Sequence, residues 1–472
     1  MCGIFGIANH SDADASGLTY LGLYALQHRG QESTGISSSD GDQVYTLKSM
    51  GHVADVYTEE ALARLPGYNA VGHTRYSTAG DSSKGNAQPI VVNCSFGTVA
   101  VCHNGNLTNA TVLRESLEQQ GAIFQSTTDT EVILHLLARS QQPNILEGLA
   151  ESLSQVQGAF SLLVLTKDAM IGVRDPYGFR PLCLGKRKGA YVLASESCAF
   201  DLIDAEYIRE IEPGEIIMIR GDQVTSVKAL HAPRTAKCVF EHVYFSRPDS
   251  MVFGRTVQGS RDRMGRTLAR ENPVDADLVV PIPDSGVAAA VGYAQESGIP
   301  FAMGLIRNHY VGRTFIEPTN KIRHFGVKIK HNAVRELLAG KRVILIDDSL
   351  VRGTTTRKIV KMVRAAGAKE VHMRISCPPT ISPCFYGVDT PAKKELVASS
   401  HTVEEIRKNI EADSLAYLSM EGLLKAVNAT ENEFCTACYT GKYPVGFANG
   451  MPDAHEREQQ LDLWEASLNP VP

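Results

Sequence analysis

The sequence predicts two mixed units in tandem: an α+β half dense in short strands, then an α/β half built on a parallel sheet. Three observations carry this. At 472 residues the chain is long enough for two or three domains, each with its own core. Up to residue 230 or so, short strand patterns dominate, at 44–47, 90–92, 98–101, 161–165, 190–193 and 215–219. Beyond residue 270 or so, strand and helix patterns alternate, with strands at 276–281, 301–306, 342–346 and 370–375 and helices at 286–296 and 354–366. That rhythm is the signature of βαβ units, hence of parallel pairing.

Within the first half three apolar stripes at helical spacing interrupt the strands. Leu18, Leu21, Ala25 and Leu26 make one; Val112, Leu113 and Leu117 make a second, closed by Gly121. Val132, Ile133, Leu136 and Leu137 make a third, with Thr128 or Asp129 placed to cap its start. The style changes around the Pro-containing segment 231–234, which sets the expected domains at 2–235 and 236–450, with a weakly patterned tail at 451–472 that holds the single Trp464.

Composition narrows the function classes. Lys plus Arg is 47 and Asp plus Glu 52, a net charge of −5. That argues against a nucleic-acid partner, which calls for a basic field. No apolar run reaches the roughly 18 residues of a membrane helix, so no membrane partner is expected. The opening MCGIFGIANH lacks a basic region followed by an apolar core, so it does not read as a secretory signal, and a cytoplasmic location is expected. Ten cysteines in such a compartment are not read as a disulfide framework.

Cys2 stands directly after Met1, where an aminopeptidase can leave it with a free α-amino group. Such an amine titrates near pH 7.7–8.0 or so, so one residue can supply both nucleophile and base. Far along the chain, VILIDDSLVRGTT (343–355) runs an apolar strand into two acids and a loop of Ser, Gly and Thr ahead of a helix. Asp347 and Asp348 at the strand end can bond ribose hydroxyls, and the loop can turn backbone N–H groups and hydroxyls onto one phosphate. No GxxxxGK[ST] pattern occurs there, which disfavours ATP. The long polar stretch 307–320, with Arg307, Tyr310 and Arg313, reads as a lid, and Lys328 and Lys330 as groups within reach of a pyrophosphate.

Five short motifs occur in order: MCGIFGI, LQHRGQES (26–33), GHTRYST (72–78), HNGNLTN (103–109) and TDTEV (128–132). Together they resemble the glutaminase domain of the N-terminal-nucleophile amidotransferases, over residues 2–230 or so. The resemblance implies a four-layer αββα sandwich. It implies Cys2 as nucleophile, the Asn104 side chain and Gly105 N–H as oxyanion donors, and Arg75, Thr78 and Asp129 as the holders of glutamine. His73 and His103 are read as structural, and Arg29 as support for the site.

The 343–355 stretch resembles the signature of type I phosphoribosyltransferases, which have a parallel sheet flanked by helices. Asp347 and Asp348 then hold the ribose of 5-phosphoribosyl pyrophosphate, and Ser349, Val351, Arg352, Gly353, Thr354 and Thr355 its 5-phosphate. PIPDSGVAA (281–289) matches the pyrophosphate loop, with Asp284, Ser285 and Gly286 at its tip. Mg²⁺ is expected near Ser285, Asp347 and Asp348, held mostly through substrate oxygens. From Cys2 to Phe447 the chain resembles the amidophosphoribosyltransferase family, EHVYFSRPDS (241–250) being a further match. The implied reaction makes 5-phosphoribosylamine, glutamate and pyrophosphate at the start of purine synthesis. Purine nucleotides as feedback inhibitors and a homotetramer follow from the same resemblance, which also gives Tyr244 a coupling role.

Cys435 and Cys438 form a CxxC pair, and Cys238 and Cys384 stand in contexts that resemble the iron–sulfur branch of the family. Four thiolates satisfy one [4Fe–4S] cluster. Zinc held by the same four, or unliganded thiols, stay open as readings. Cys94, Cys102, Cys183, Cys198 and Cys377 read as core residues.

Overall fold

The structure is a computed structural model that describes residues 1–9, 14–77, 80–309, 331–429 and 431–447. Its first half stacks two antiparallel sheets. The strands are β1 (Gly3–Ala8), β2 (Ser33–Ser39), β3 (Val44–Met50), β4 (Asn69–Arg75), β5 (Ile90–Cys94), β6 (Gly97–Leu107), β7 (Gly158–Leu165), β8 (Met170–Arg174), β9 (Cys183–Arg187), β10 (Ala190–Ala194), β11 (Glu206–Glu210), β12 (Glu215–Arg220) and β13 (Gln223–Lys228). Among the described residues one sheet runs β11-β9-β10-β1-β4-β2-β3 and the other β13-β12-β8-β7-β6-β5.

Alternation along β1 shows how the layers arise. Strand side chains point to opposite faces in turn. Ile4 enters the core between the sheets, with Val71, Cys102, Leu163 and Leu193. Phe5 and Ile7 face the other way, onto helix Ala15–Ala25 and its Leu18 and Leu23. A third apolar layer, with Val101, Ile133, Leu137, Leu149 and Phe160, joins the second sheet to helices Ala110–Gln119, Thr130–Arg139 and Ile145–Ser154. Three apolar interfaces between two helix layers and two sheets make a four-layer αββα sandwich.

The second half is a parallel sheet, ordered Leu278–Pro281, Arg342–Asp347, Glu370–Ile375 and Ser414–Tyr417 among the described residues. Its buried strand residues Val279, Ile344 and Met373 pack with Met264, Tyr293 and Ile359 of helices Val257–Glu271, Val287–Ser297 and Thr354–Ala365. Runs apolar on both faces are what a parallel sheet covered by helices requires.

The strand expected at 301–306 is corrected. Phe301 makes only an isolated bridge to Val279, and Leu305–Arg307 pairs antiparallel with His331–Ala333, apart from the parallel sheet. Ile306 stays exposed, so this piece never had the two buried faces of a sheet strand. Most of the loop expected to act as a lid, including Tyr310, Arg313, Lys328 and Lys330, lies outside the described residues, as do Trp464 and the tail from 448 on. No described helix is long and apolar enough to cross a membrane.

Candidate functional site

Cys2 sits at the head of β1, buried, with its Sγ 3.6 Å from the Tyr76 carbonyl. Met1 precedes it, packed against Cys238 and Val388. The Cys2 carbonyl accepts a 2.9 Å bond from Nε of Arg29. Across the sandwich, β6 carries His103, Asn104 and Gly105. Asn104 is fully buried, and neither its Oδ1 nor its Nδ2 has a hydrogen-bond partner. A buried amide left unsatisfied costs ~1–3 kcal/mol, so Asn104 keeps both a donor and an acceptor available for a further partner. Gly105 is required beside it, because a Cβ there would stand 2.0 Å from the Ala159 carbonyl oxygen.

Arg75 ends β4, buried, and its guanidinium pairs with Glu32 while donating 3.1 Å to the Asp81 carbonyl. Glu32 also accepts from the Ser77 backbone N–H at 3.0 Å. Glu32 lies inside the HRGQES motif, and sequence reasoning gave it no role. Thr78 lies outside the described residues.

Of the two residues expected to cap the third helix, Asp129 holds the N-cap position but makes no capping bond, while the Thr128 hydroxyl accepts from the Thr130 N–H at 3.4 Å. The Asp129 carboxylate instead accepts from the Leu107 N–H at 2.9 Å and stands 3.7 Å from Nδ1 of His103. A tertiary partner outcompetes the local cap. Burial raises the Asp129 pKa, but His103 and the Leu107 N–H outweigh it and hold the group below the usual carboxylate range. Burial lowers the His103 pKa, and Asp129 reverses that, so this imidazole lies above its ordinary value. His73 is the opposite case, lowered by burial to about 3 and therefore neutral.

Beneath the cysteine lies a buried charge network that sequence reasoning missed beyond Arg29. Arg29 donates to both oxygens of Glu241, at 2.8 and 3.0 Å, and to Glu196. Arg180 donates to Glu241 at 3.2 Å, Ser246 to Glu241 at 2.7 Å, and Ser250 to Glu196 at 2.7 Å. All four charged side chains are fully buried, two of each sign. Glu241 belongs to the five-residue helical turn Glu241–Phe245. Arg261, on the first long helix of the second half, bonds the carbonyls of His242 and Ser246 at 2.9 and 2.8 Å. Tyr244 of the same turn is 37 % exposed and contacts Phe240 and Phe245.

At the carboxyl end of the parallel sheet, Asp347 and Asp348 follow the strand Arg342–Asp347. Burial, then the adjacent Asp348 charge, push the Asp347 pKa well above the carboxylate range. Asp348 accepts from the Ser349 hydroxyl at 2.5 Å. Gly353, at φ +76°, turns the chain into helix Thr354–Ala365, a left-handed geometry that favours glycine. Thr354 and Thr355 are exposed at that helix start, while Val351 is half-buried and the exposed Arg352 pairs with Glu395. The 281–289 loop lies alongside: Ile282 N–H bonds the Ile346 carbonyl at 2.8 Å. A Cβ on Gly286 would meet that same carbonyl oxygen at 2.4 Å, so only glycine lets the two loops approach. Asp284 pairs with Arg307, and Ser285 is half-buried.

The four candidate ligand cysteines converge. Cys238 is the register partner of Cys435 in a short parallel pair, and Cys438 lies in the field of Cys435, Cys238 and Cys384. Burial pushes the Cys238 thiol up to about 11. Among the described residues no three His, Cys, Asp or Glu side chains are clustered to hold a metal ion. Cys102, Cys183, Cys198 and Cys377 are buried, and Cys94, half-buried at the β5 end, packs against the core of the second sheet.

Comparison with known proteins follows the same division. A glutamine amidotransferase domain model matches residues 73–201, and a phosphoribosyl transferase domain model matches 265–404. Amidophosphoribosyltransferase 2, chloroplastic, of Arabidopsis thaliana is 52% identical over 94% of this chain and 79% of its own. The amidophosphoribosyltransferase of Methanocaldococcus jannaschii is 50% identical, over 94% of this chain and 98% of its own. The glutamine phosphoribosylpyrophosphate amidotransferase of B. subtilis, solved in complex with ADP and GMP, superposes with a TM-score of 0.90 at 46% identity, covering 96% of this chain and all of that one. A thiol at a strand head facing an unsatisfied amide, joined to a paired-acid phosphate cradle, is thus found in a chain that belongs to the amidophosphoribosyltransferase family.

Proposed function

We propose that Cys2, once freed of Met1, attacks the side-chain amide of glutamine and that the ammonia released displaces pyrophosphate at the second site. The observation that carries this is the buried Asn104 amide without a partner, on the strand facing the head of β1. It supports an oxyanion site made by the Asn104 side chain and the Gly105 N–H. Arg75 takes the α-carboxylate of glutamine in place of an internal partner, and Asp129, held ionised by its neighbours, takes the α-ammonium. Thr78 is assigned to glutamine by resemblance alone.

At the second site Asp347 and Asp348 take the ribose hydroxyls, and Ser349, Val351, Arg352, Gly353, Thr354 and Thr355 the 5-phosphate. Asp284, Ser285 and Gly286 take the pyrophosphate. Burial and then the adjacent Asp348 charge disfavour the Asp347 anion, which fits a site completed by a cation, and Mg²⁺ held there would neutralise charge on the leaving pyrophosphate. The cysteine set fits a [4Fe–4S] cluster held by Cys238, Cys384, Cys435 and Cys438. Cys238 and Cys435 are buried register partners, Cys384 and Cys438 are half-buried, and all four lie in one another's field, which supports a shared group. When bound, the cluster ties the 435–438 segment to the domain junction. Purine nucleotides as feedback ligands are supported by the B. subtilis relative, solved with ADP and GMP. We also propose a homotetramer.

The test is glutamate release with and without phosphoribosyl pyrophosphate, followed beside pyrophosphate release fed by glutamine or by ammonium. The proposal expects glutamate and pyrophosphate in equal amounts from glutamine. Glutamate release that never yields pyrophosphate would overturn the second half, and no glutamate under any condition the first. Anaerobic iron and sulfide determination, with zinc measured beside it, separates cluster from single ion: about four irons per chain against one zinc. Light scattering on the eluting protein decides the tetramer.

A further inference from the structure

The acceptor half touches the glutaminase at a place the reaction needs. The segment after Cys384 lies directly on β6. Nδ2 of Asn106 donates to the Phe385 carbonyl at 3.0 Å. A Cβ on Gly387, whose φ is +96°, would stand 2.9–3.1 Å from the carbonyl carbon, carbonyl oxygen and Cα of Gly105. On its other side Gly105 is closed by the Ala159 carbonyl. The backbone that offers the oxyanion N–H is therefore clamped between its own sheet and a glycine of the other half.

The clamp is itself held firmly. Arg180, fully buried, donates from Nε to the Tyr386 carbonyl at 2.9 Å and from its second arm to Glu241. The Tyr386 ring stacks on Phe179 at 4.3 Å, and its hydroxyl is bonded to both N and O of Val445, at 3.0 and 2.8 Å. A segment fixed at three points transmits a displacement instead of absorbing it.

We propose that Gly387 is a positioning residue for the glutaminase: by backbone contact it sets the place of Gly105, with Asn106 bonded to Phe385 fixing the register. This rests on the reading of Asn104 and Gly105 as the oxyanion site. A methyl at 387 has no room, and the neighbour it meets is backbone, so Gly105 must shift by a few tenths of an ångström. Shifts of about 1 Å at a reacting centre can cost roughly 10²-fold in rate.

The experiment uses the full chain carrying Gly387→Ala, and separately Asn106→Ala, which removes the bond without adding a clash. The kcat for glutamate release is expected to fall about tenfold, short of the roughly 10²–10³ lost with a whole oxyanion donor. The glutamine KM stays within about threefold, and pyrophosphate release fed by ammonium within about twofold, since the change acts on transition-state stabilisation in one half only. If Gly387→Ala does not fold, Asn106→Ala alone carries the test. Unchanged glutamate release in the folded variants would overturn the proposal, as would an equal loss of the ammonium-fed activity, the mark of a merely structural role. Cys2→Ala run alongside separates the failures: if it keeps normal glutamate release, the underlying glutaminase reading has failed instead.

Discussion

Replacing Glu241 by Gln removes one charge from a neutral buried set of two cations and two anions, Arg29, Arg180, Glu196 and Glu241. Glu241 accepts four bonds, two from Arg29, one from Arg180 and one from Ser246. At an effective dielectric near 20, each charge pair at this range is worth about 4–5 kcal/mol gross. Relief of the carboxylate's own desolvation returns much of that, and the net cost of breaking a buried pair by removing one partner is about 3–5 kcal/mol. Stability totals of roughly 5–15 kcal/mol make this severe. The pH sign follows from the depressed Glu241 pKa, in which burial is outweighed by Arg29: its stabilisation is present above the ordinary carboxylate value and lost as pH falls through the folded one. Urea unfolding at pH 7.5 and at pH 4 should therefore show the variant's deficit largest at pH 7.5 and shrinking in acid. An Arg29→Met/Glu241→Leu double variant should be less destabilised than the sum of the singles. A deficit under about 0.5 kcal/mol at pH 7.5 for Glu241→Gln would mean that the buried charge set does not hold this junction together.

Asn104→Ala should lower glutamate release about 10²–10³-fold while ammonium-fed pyrophosphate release continues, because only an oxyanion donor is lost. His242 is buried, both its ring nitrogens lack partners, and burial lowers its pKa to about 3. Such a histidine is neutral when folded, so its part in stability is lost as pH falls below the unfolded value of about 6.5, costing about 2 kcal/mol between pH 7 and pH 5. His242→Asn should flatten the stability profile over that range by about this amount, as read by thermal or urea unfolding. Asp347→Asn removes a carboxylate that burial and Asp348 disfavour as an anion. It should stabilise the ligand-free protein by about 1 kcal/mol and abolish most ammonium-fed turnover, a trade between stability and function.

Much of this was legible in the residues. The ordered motifs at Cys2, Arg75, Asn104 and Asp129, and the run from 343 to 355, pointed to the family and its two-part fold, because close backbone approach and phosphate cradling leave marks in Gly, Ser and Thr. Strand β2 left none. Its sequence STGISSS has no apolar alternation, yet every residue is buried. Sandwiching between two layers forces it, and hydroxyl bonds such as Ser37 to Thr46 at 2.8 Å partly satisfy the cost. Helix Val257–Glu271 was likewise hidden, since Ser260, Arg261 and Gly265 stand on its buried face, where apolar residues carry the usual signal. Glu196, Arg180 and Glu241 gave no local sign, because their pairing spans 61 to 212 residues of chain. Gly387 was invisible for the same reason: its constraint is a backbone it meets only in the folded chain.

The most direct measurement is the Cys2→Ala variant assayed in two ways: glutamate release from glutamine, and pyrophosphate release from phosphoribosyl pyrophosphate fed by ammonium. The first should vanish while the second keeps its normal rate. Glutamate release near the wild-type rate, or loss of both activities in a folded protein, would contradict this role for Cys2.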